Sequence, residues 1–243
     1  MAVARPQPAA PSPQQQATPR HPASLPAQRT AGPPGRAGEQ DDAQAIVPEG
    51  IAAPAMISAE IFAAAVDAHV SGQRLDMQSL ARRLGVSRAT LYRRAGNREQ
   101  LLDLVLWWRA RHTLVEQVHA TAAQSGAKRI VKAIGGVLHA IEQDRSLRAF
   151  LESDPEAALR ILTGTRSTVR KGMVATLENL IDLERGRGAF AADLDTPTLA
   201  YAIVRIAEGF LYADVIADRS PDIDQAITVI EALLRGLDLM RRA

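Results

Sequence analysis

The sequence predicts an all-α fold: an N-terminal three-helix helix-turn-helix head, a C-terminal helical bundle, and a polar tail outside both. Three observations predict it. From Ser58 onward apolar residues recur three and four positions apart, the period of a helix with one buried face. Strand-like alternation never lasts more than a few residues. Ser, Asp, Asn or Pro stands where the periodic runs begin, and Gly where several end.

Met1–Pro48 differs in kind from the rest. It holds ten of the 14 prolines and the run Gln14–Gln16, with few large apolar residues. Such a stretch cannot bury enough surface to offset chain entropy, so residues 1–50 are expected to be a disordered tail. Its Arg5, Arg20, Arg29 and Arg36 are balanced by Glu39, Asp41, Asp42 and Glu49. It has no apolar core of about 7–15 residues, as a secretory signal requires.

The head is expected over residues 55–103. Ser58 caps a first helix, with Phe62, Val66 and Val70 on one face and Ser71-Gly72 at its end. Asp76 caps a second, with Met77, Leu80, Ala81 and Leu84 inward. Gly85 breaks it, since Gly takes positive φ without a Cβ penalty. Ser87 caps a third over Arg88–Ala95, with Leu91 inward. Two short helices joined by a Gly-containing turn form the helix-turn-helix unit, whose second helix enters the DNA major groove. The small Ala81 allows the helices to cross closely, and Val86 plugs the turn. From Gly72 to Arg111 nine arginines face three acidic residues. That local surplus suits phosphate contacts. Residues 112–243 carry 16 Lys and Arg against 18 Asp and Glu, so the basic surface is confined to one module.

The stretch Leu75–Leu102 resembles the TetR/AcrR family of one-component regulators, through Gly85-Val86-Ser87, Thr90-Leu91-Tyr92 and Arg98-Glu99-Gln100-Leu101. It departs at Ala95, where that family usually carries a large apolar residue. Carried over by position, the resemblance implies that Ser87 opens the DNA-reading helix. Arg88, Ala89, Thr90 and Arg93 would face bases or sugars, and Tyr92, Arg94 and Arg98 would hold phosphates.

Residues 104–243 are expected to form a regulatory and dimerisation domain. Asn97 with Gln100 reads as a capping box opening a long helix to about Ala122. Leu101, Val105, Trp108, His112, Val115 and His119 share its stripe. Lys128–Gln143 is amphipathic through Ile130, Ile134, Val137, Leu138 and Ile141. Ser146–Glu152 forms a short helix, and Asp154-Pro155 starts the next. A long helix from Thr165 to about Arg185 turns Val169, Met173, Leu177, Leu180 and Ile181 inward. Thr196-Pro197 opens another to about Ala217, and Asp222 a last one to about Met240.

Within the helix from Thr196, Tyr201, Arg205, Glu208 and Tyr212 lie on one stripe among Ala, Ile, Val, Phe and Leu. Burying unpaired charge is costly. Arg205 and Glu208 therefore either pair internally, ordering the bundle or a dimer seam, or form the polar end of a ligand cavity. Trp108 and Phe150 are further candidates for that cavity, with Glu152 beside them.

The runs Leu147–Thr163 and Thr198–Asp218 resemble the QsdR-type branch of the TetR family, named for a regulator of quorum-sensing-signal degradation genes. The resemblance spans roughly residues 57–239. It implies a homodimer through the last two helices and a small apolar effector, lactone-like in chemistry. The function expected is a cytoplasmic repressor that binds a near-palindromic DNA operator as a dimer and is released by that effector. The alternative is a helical protein-interaction adaptor without specific DNA binding. No cysteine, thiolate zinc site, phosphate loop or catalytic triad order stands out, so no enzyme activity, metal or cofactor is expected. The most apolar window, Leu199–Ala217, contains Arg205, Glu208 and Asp214, so a buried helix rather than a membrane span is expected.

Overall fold

The computed structural model describes residues 43, 45–48, 57–217 and 219–242. The Ser58 hydroxyl accepts from the Ile61 N–H at the start of α1 (Ala59–Val70). Asp76 caps α2 (Met77–Arg83) by accepting the Ser79 N–H at 2.7 Å. Gly85 then turns the chain at φ +65°, and the Val86 N–H returns to the Ala81 carbonyl. Ser87 caps α3 (Arg88–Ala95) through the Thr90 N–H at 3.1 Å. Gly96 ends α3 at φ +71°, and a Cβ there would collide with the Gln100 side chain. That side chain closes a reciprocal capping box with Asn97 and opens α4 (Arg98–Ala120).

Helices α5 (Gly126–Glu142), α6 (Arg145–Ser153), α7 (Pro155–Thr163), α8 (Thr168–Gly186), α9 (Thr196–Leu211), α10 (Ala213–Ala217) and α11 (Ile223–Arg242) follow. Among the described residues there is no strand. The 23 residues of α4 span about 34 Å at ~1.5 Å per residue. Helix α1 packs on α4 from the head side, and α5, α7 and α8 pack on it from the bundle. Helix α9 lies on α8, and α11 closes the layer over α5 and α9. The α4–α8 seam is tight. A Cβ on Gly172 would fall within the Trp107 ring, so only glycine permits this approach.

The buried charges are paired. Arg129 and Glu184, 2% and 0% exposed, meet at 2.8 Å. The second Glu184 oxygen accepts the Gly126 N–H at 2.6 Å, satisfying the start of α5. Neither residue stands out by periodicity, because each sits on an apolar helix face where only a partner from another helix makes a charge tolerable.

Several sequence expectations need correction. The buried face of α1 is Ile61, Ala64, Ala65 and His69, while Val70 is 56% exposed. Small alanines let α1 approach closely, and that outweighs the larger side chains on the flank. On α4, Trp107 is buried and Trp108 exposed, for the same reason of close approach at Gly172. The helix from Thr196 breaks at Tyr212, where the Asp214 carboxylate takes the Val215 N–H and pairs with Arg148. Asp154 does not cap α7 through its side chain, which is engaged by Arg98 instead. Within the stretch 1–50 expected to be a tail, Ala43, Ile46 and Val47 are buried. Apart from Ala45 and Pro48, the other positions of 1–50 lie outside the described residues.

Overpacking a rigid seam costs roughly 1–3 kcal/mol. Gly172→Ala should therefore lower the unfolding free energy by about that amount in urea titration, with Gly186→Ala as a control, since nothing meets a Cβ there.

Candidate nucleic-acid interface and ligand cavity

Helix α3 is anchored by Leu91 and Ala95, 0% and 1% exposed. Ala95 is small enough to seat the end of α3 against the head core. The opposite face carries Arg88, Ala89, Tyr92, Arg93 and Arg94, all exposed. No carboxylate among the described residues pairs with Arg88, Arg93 or Arg94. The Arg88 guanidinium lies 6.0 Å from the centre of the Tyr92 ring. Thr90 is half-buried, and its hydroxyl accepts from Ser87 at 2.9 Å. The result is a short helix with a greasy inner face and a free cationic outer one. Such a surface offers guanidinium and hydroxyl donors to phosphates and base edges.

Arg98 belongs elsewhere. Its Nε donates to the Leu75 carbonyl at 2.8 Å, and its Nη1 to Asp154 at 3.1 Å. It is a joint between head and bundle, not a member of the cationic face. Other contacts reinforce that joint. Glu99 pairs with Arg160 at 3.1 Å. Both Asp103 oxygens accept the Thr168 N–H at 3.0 Å, at the first residue of α8. Arg109 binds Asp144 at 2.9 Å and also donates to Ser146. Burial by itself would raise the Asp144 carboxyl, but hydrogen bonds from Ser146 and Leu147 and the Arg109 charge hold it below the usual range. His69 is buried in the same joint, edge-on to Phe150 at 6.5 Å. Desolvation, followed by the nearby Arg109 charge, pushes His69 below its ordinary value.

A cavity of about 90 Å³ lies inside the bundle. Val118 of α4, Ile134 and Leu138 of α5, Leu177 of α8, and Ile203 and Leu211 of α9 help to wall it. Its polar end is Arg170, Glu208, Thr176 and Tyr212. Arg170 grips Glu208 through two parallel bonds, Nε to Oε1 at 2.8 Å and Nη2 to Oε2 at 2.9 Å. Arg205 adds a third at 2.6 Å. Two arginines on one carboxylate leave this end net positive. Burial, with the Glu208 charge second, pushes the Tyr212 phenol far above its ordinary value, so it stays a neutral donor. An apolar chamber with a few converging polar groups is the usual form of a small-molecule site.

The structure separates the residues grouped from sequence. Glu208 and Tyr212 line the cavity, and Arg205 reaches it only through Glu208. Trp108 stacks edge-on against Phe62 at 6.0 Å, outside it. Phe150 lies at the head–bundle joint, and Tyr201 is 52% exposed. The stripe on α9 is real, but one helical stripe spans both a buried and an exposed neighbour once α8 and α11 pack unevenly around it. Arg170 was missed. Its signal was a charge placed between the inward residues Val169 and Met173.

The head, the continuous α4 and the bundle with its apolar cavity together define a helix-turn-helix regulator. The chain belongs to the TetR family of transcriptional regulators. The model "Bacterial regulatory proteins, tetR family" matches residues 68–105, and "Tetracyclin repressor-like, C-terminal domain" matches residues 125–235. Among solved structures, the chain is similar to the transcriptional repressor QsdR of R. erythropolis, from the TetR family. Identity is 29%, with 73% of this chain and 93% of that one covered and a TM-score of 0.65. A second similar structure is a putative TetR-family regulator from Rhodococcus sp., at 18% identity, covering 74% of this chain and 100% of that one, with a TM-score of 0.49. No curated protein matches the sequence. Among the described residues no helix is long and apolar enough to cross a membrane.

Two predictions follow from the joint. The unfolded chain takes up a proton at His69 near pH 6.5, while the folded chain resists it. Stability should thus fall as pH drops through 6.5, and His69→Gln should flatten that part of a pH series of thermal melts. Arg98→Ala should speed amide exchange in the Leu75–Leu84 segment while leaving the bundle amides unchanged.

Proposed function

We propose that this regulator is a repressor that binds a near-palindromic operator as a homodimer and releases it when an apolar small molecule enters the bundle cavity. The observation that carries the reading is a continuous polar connection from cavity to head. Glu208 at the cavity end holds Arg170, in the first turn of α8. The Thr168 N–H in that same turn is held by Asp103 of α4, one turn and a half beyond the α4 N-cap. Helix α4 starts two residues after the recognition helix ends. A ligand that draws Arg170 away from Glu208 thereby acts on the helix that carries the head. It shifts the head equilibrium only by its differential affinity for the two poses.

The proposed homodimer uses α9 and α11. Tyr201 on α9 and Leu239 on α11 are 52% and 67% exposed, large apolar surface that a symmetric partner would cover. Two copies of α3 then enter successive major grooves on one face of DNA. Arg88, Ala89, Thr90 and Arg93 read bases or sugars, and Ser87, Tyr92 and Arg94 hold phosphates. The effector is lactone-like: an aliphatic body against the cavity walls, with a carbonyl near the Tyr212 hydroxyl and Arg170. The similarity to a solved repressor favours repression over activation. A cytoplasmic location follows from the DNA target.

The test is selection of bound duplexes from a random pool, followed by fluorescence anisotropy on the recovered sequence. The selected duplex should show two inverted half-sites. Arg88→Ala and Arg93→Ala should each weaken it roughly 5- to 150-fold, the measure of about 1–3 kcal/mol per base contact. Affinity should fall steeply with salt. Wild-type affinity in both variants would show that α3 is not the reading helix. γ-Decalactone should raise the melting temperature of the wild type but not of Glu208→Gln.

A further inference from the structure

The chain upstream of the head is docked on the bundle. Ala43, Ile46 and Val47 are 1%, 6% and 0% exposed, and the Val47 N–H closes one helical turn onto the Ala43 carbonyl at 3.2 Å. Two side chains from different helices hold its main chain. Asn179 Nδ2 of α8 donates to the Ile46 carbonyl at 2.8 Å, and Arg111 Nε of α4 donates to the Pro48 carbonyl at 3.0 Å. Arg111 lies one turn beyond Trp107, and Asn179 two turns beyond Gly172. The segment therefore runs along the seam where α4 and α8 make their tight approach.

We propose that Ala43–Pro48 is an internal ligand of the α4–α8 seam, an in-cis strap that fastens the head-bearing helix to the helix carrying Arg170. Three features argue for a ligand-like contact. The donors read backbone carbonyls, as peptide-recognition grooves do. Among the described residues the buried apolar contribution comes from three side chains, so the contact is small enough to open and close. Only eight residues separate Pro48 from Ile57 in the sequence, so docking is intramolecular, and the effective concentration of such a covalently joined segment is on the order of millimolar. A contact too weak to hold a free peptide tightly thus stays occupied in cis. Because it touches both α4 and α8, the strap resists any slide of one past the other. Its docking stands on the contacts alone, and its effect on operator binding rests on the function proposed above. An unfastened α4 samples more head positions, and an operator of fixed half-site spacing then costs more entropy to engage.

The experiment uses the full-length chain, the variant Ile46→Asp/Val47→Asp, the milder Asn179→Ala, and a synthetic peptide of residues Asp41–Gly50. The double variant should melt lower by roughly 3–8 °C, and Asn179→Ala by less. Amides of the α4–α8 seam and of Arg88–Ala95 should exchange several-fold faster than in wild type. Peptide at about 1 mM, near the tether's effective concentration, should restore at least half of the melting shift in the double variant. The same peptide should restore none of it when Asn179→Ala is added. Operator affinity should drop roughly 3- to 10-fold without the strap and recover with peptide. Unchanged melting and exchange in both variants would overturn the strap. Restored melting with unchanged operator affinity would overturn its regulatory effect. A wild-type chain that binds no duplex would instead sink the DNA-binding reading, while the melting and exchange results still decide the docking.

Discussion

One helix has to satisfy two cores. Helix α4 buries Leu101, Leu102 and Val105 near its start and Trp107, Leu114 and Val118 further along. A helix is stiff over about 34 Å, so the head and the bundle cannot choose their positions independently. The capping box at Asn97 places α4 immediately after the recognition helix, and the Trp107–Gly172 approach ties it to α8. Head and bundle both pack on this shared element.

The polar contacts around α4 are arranged as fasteners rather than as a surface decoration. Arg98, Glu99, Asp103 and Arg109 each reach a different point on the bundle: Asp154, Arg160, the start of α8, and Asp144 with Ser146. Exposed pairs such as Glu99–Arg160 contribute little to stability, typically below about 1 kcal/mol. Their value lies in register, because each has one geometry that works. The buried pairs are a different matter. Arg170 with Glu208 and Arg129 with Glu184 are removed from water at opposite parts of the bundle, and loss of one partner would leave a charge stranded. Only the first of these faces the cavity.

How much of this was legible in the sequence depends on the range of the interaction. The caps at Ser58, Asp76, Ser87 and Asn97 and the turn at Gly85 are local devices, written within three or four residues. They set the head. The exposed arginine face of α3 followed from Leu91 and Ala95 pointing the other way. The partners of Arg98 (Leu75 and Asp154) were not legible because they come from two segments that only folding brings together. Trp108 was preferred over Trp107 because a stripe count sees side-chain size, whereas burial was decided by a glycine 65 positions away.

The sequence by itself determined the fold class, the helix boundaries to within a few residues, the helix-turn-helix and its cationic face. Each of these depends on neighbours along the chain, whose spacing is known as soon as the residues are read. Tertiary structure alone decided where the cavity ends, that Arg170 rather than Arg205 is the main holder of Glu208, and that Ile46 and Val47 leave the tail to pack on the bundle. These are pairings between distant segments. A charge or an apolar side chain announces that it needs a partner, but which partner it finds depends on how several helices pack at once.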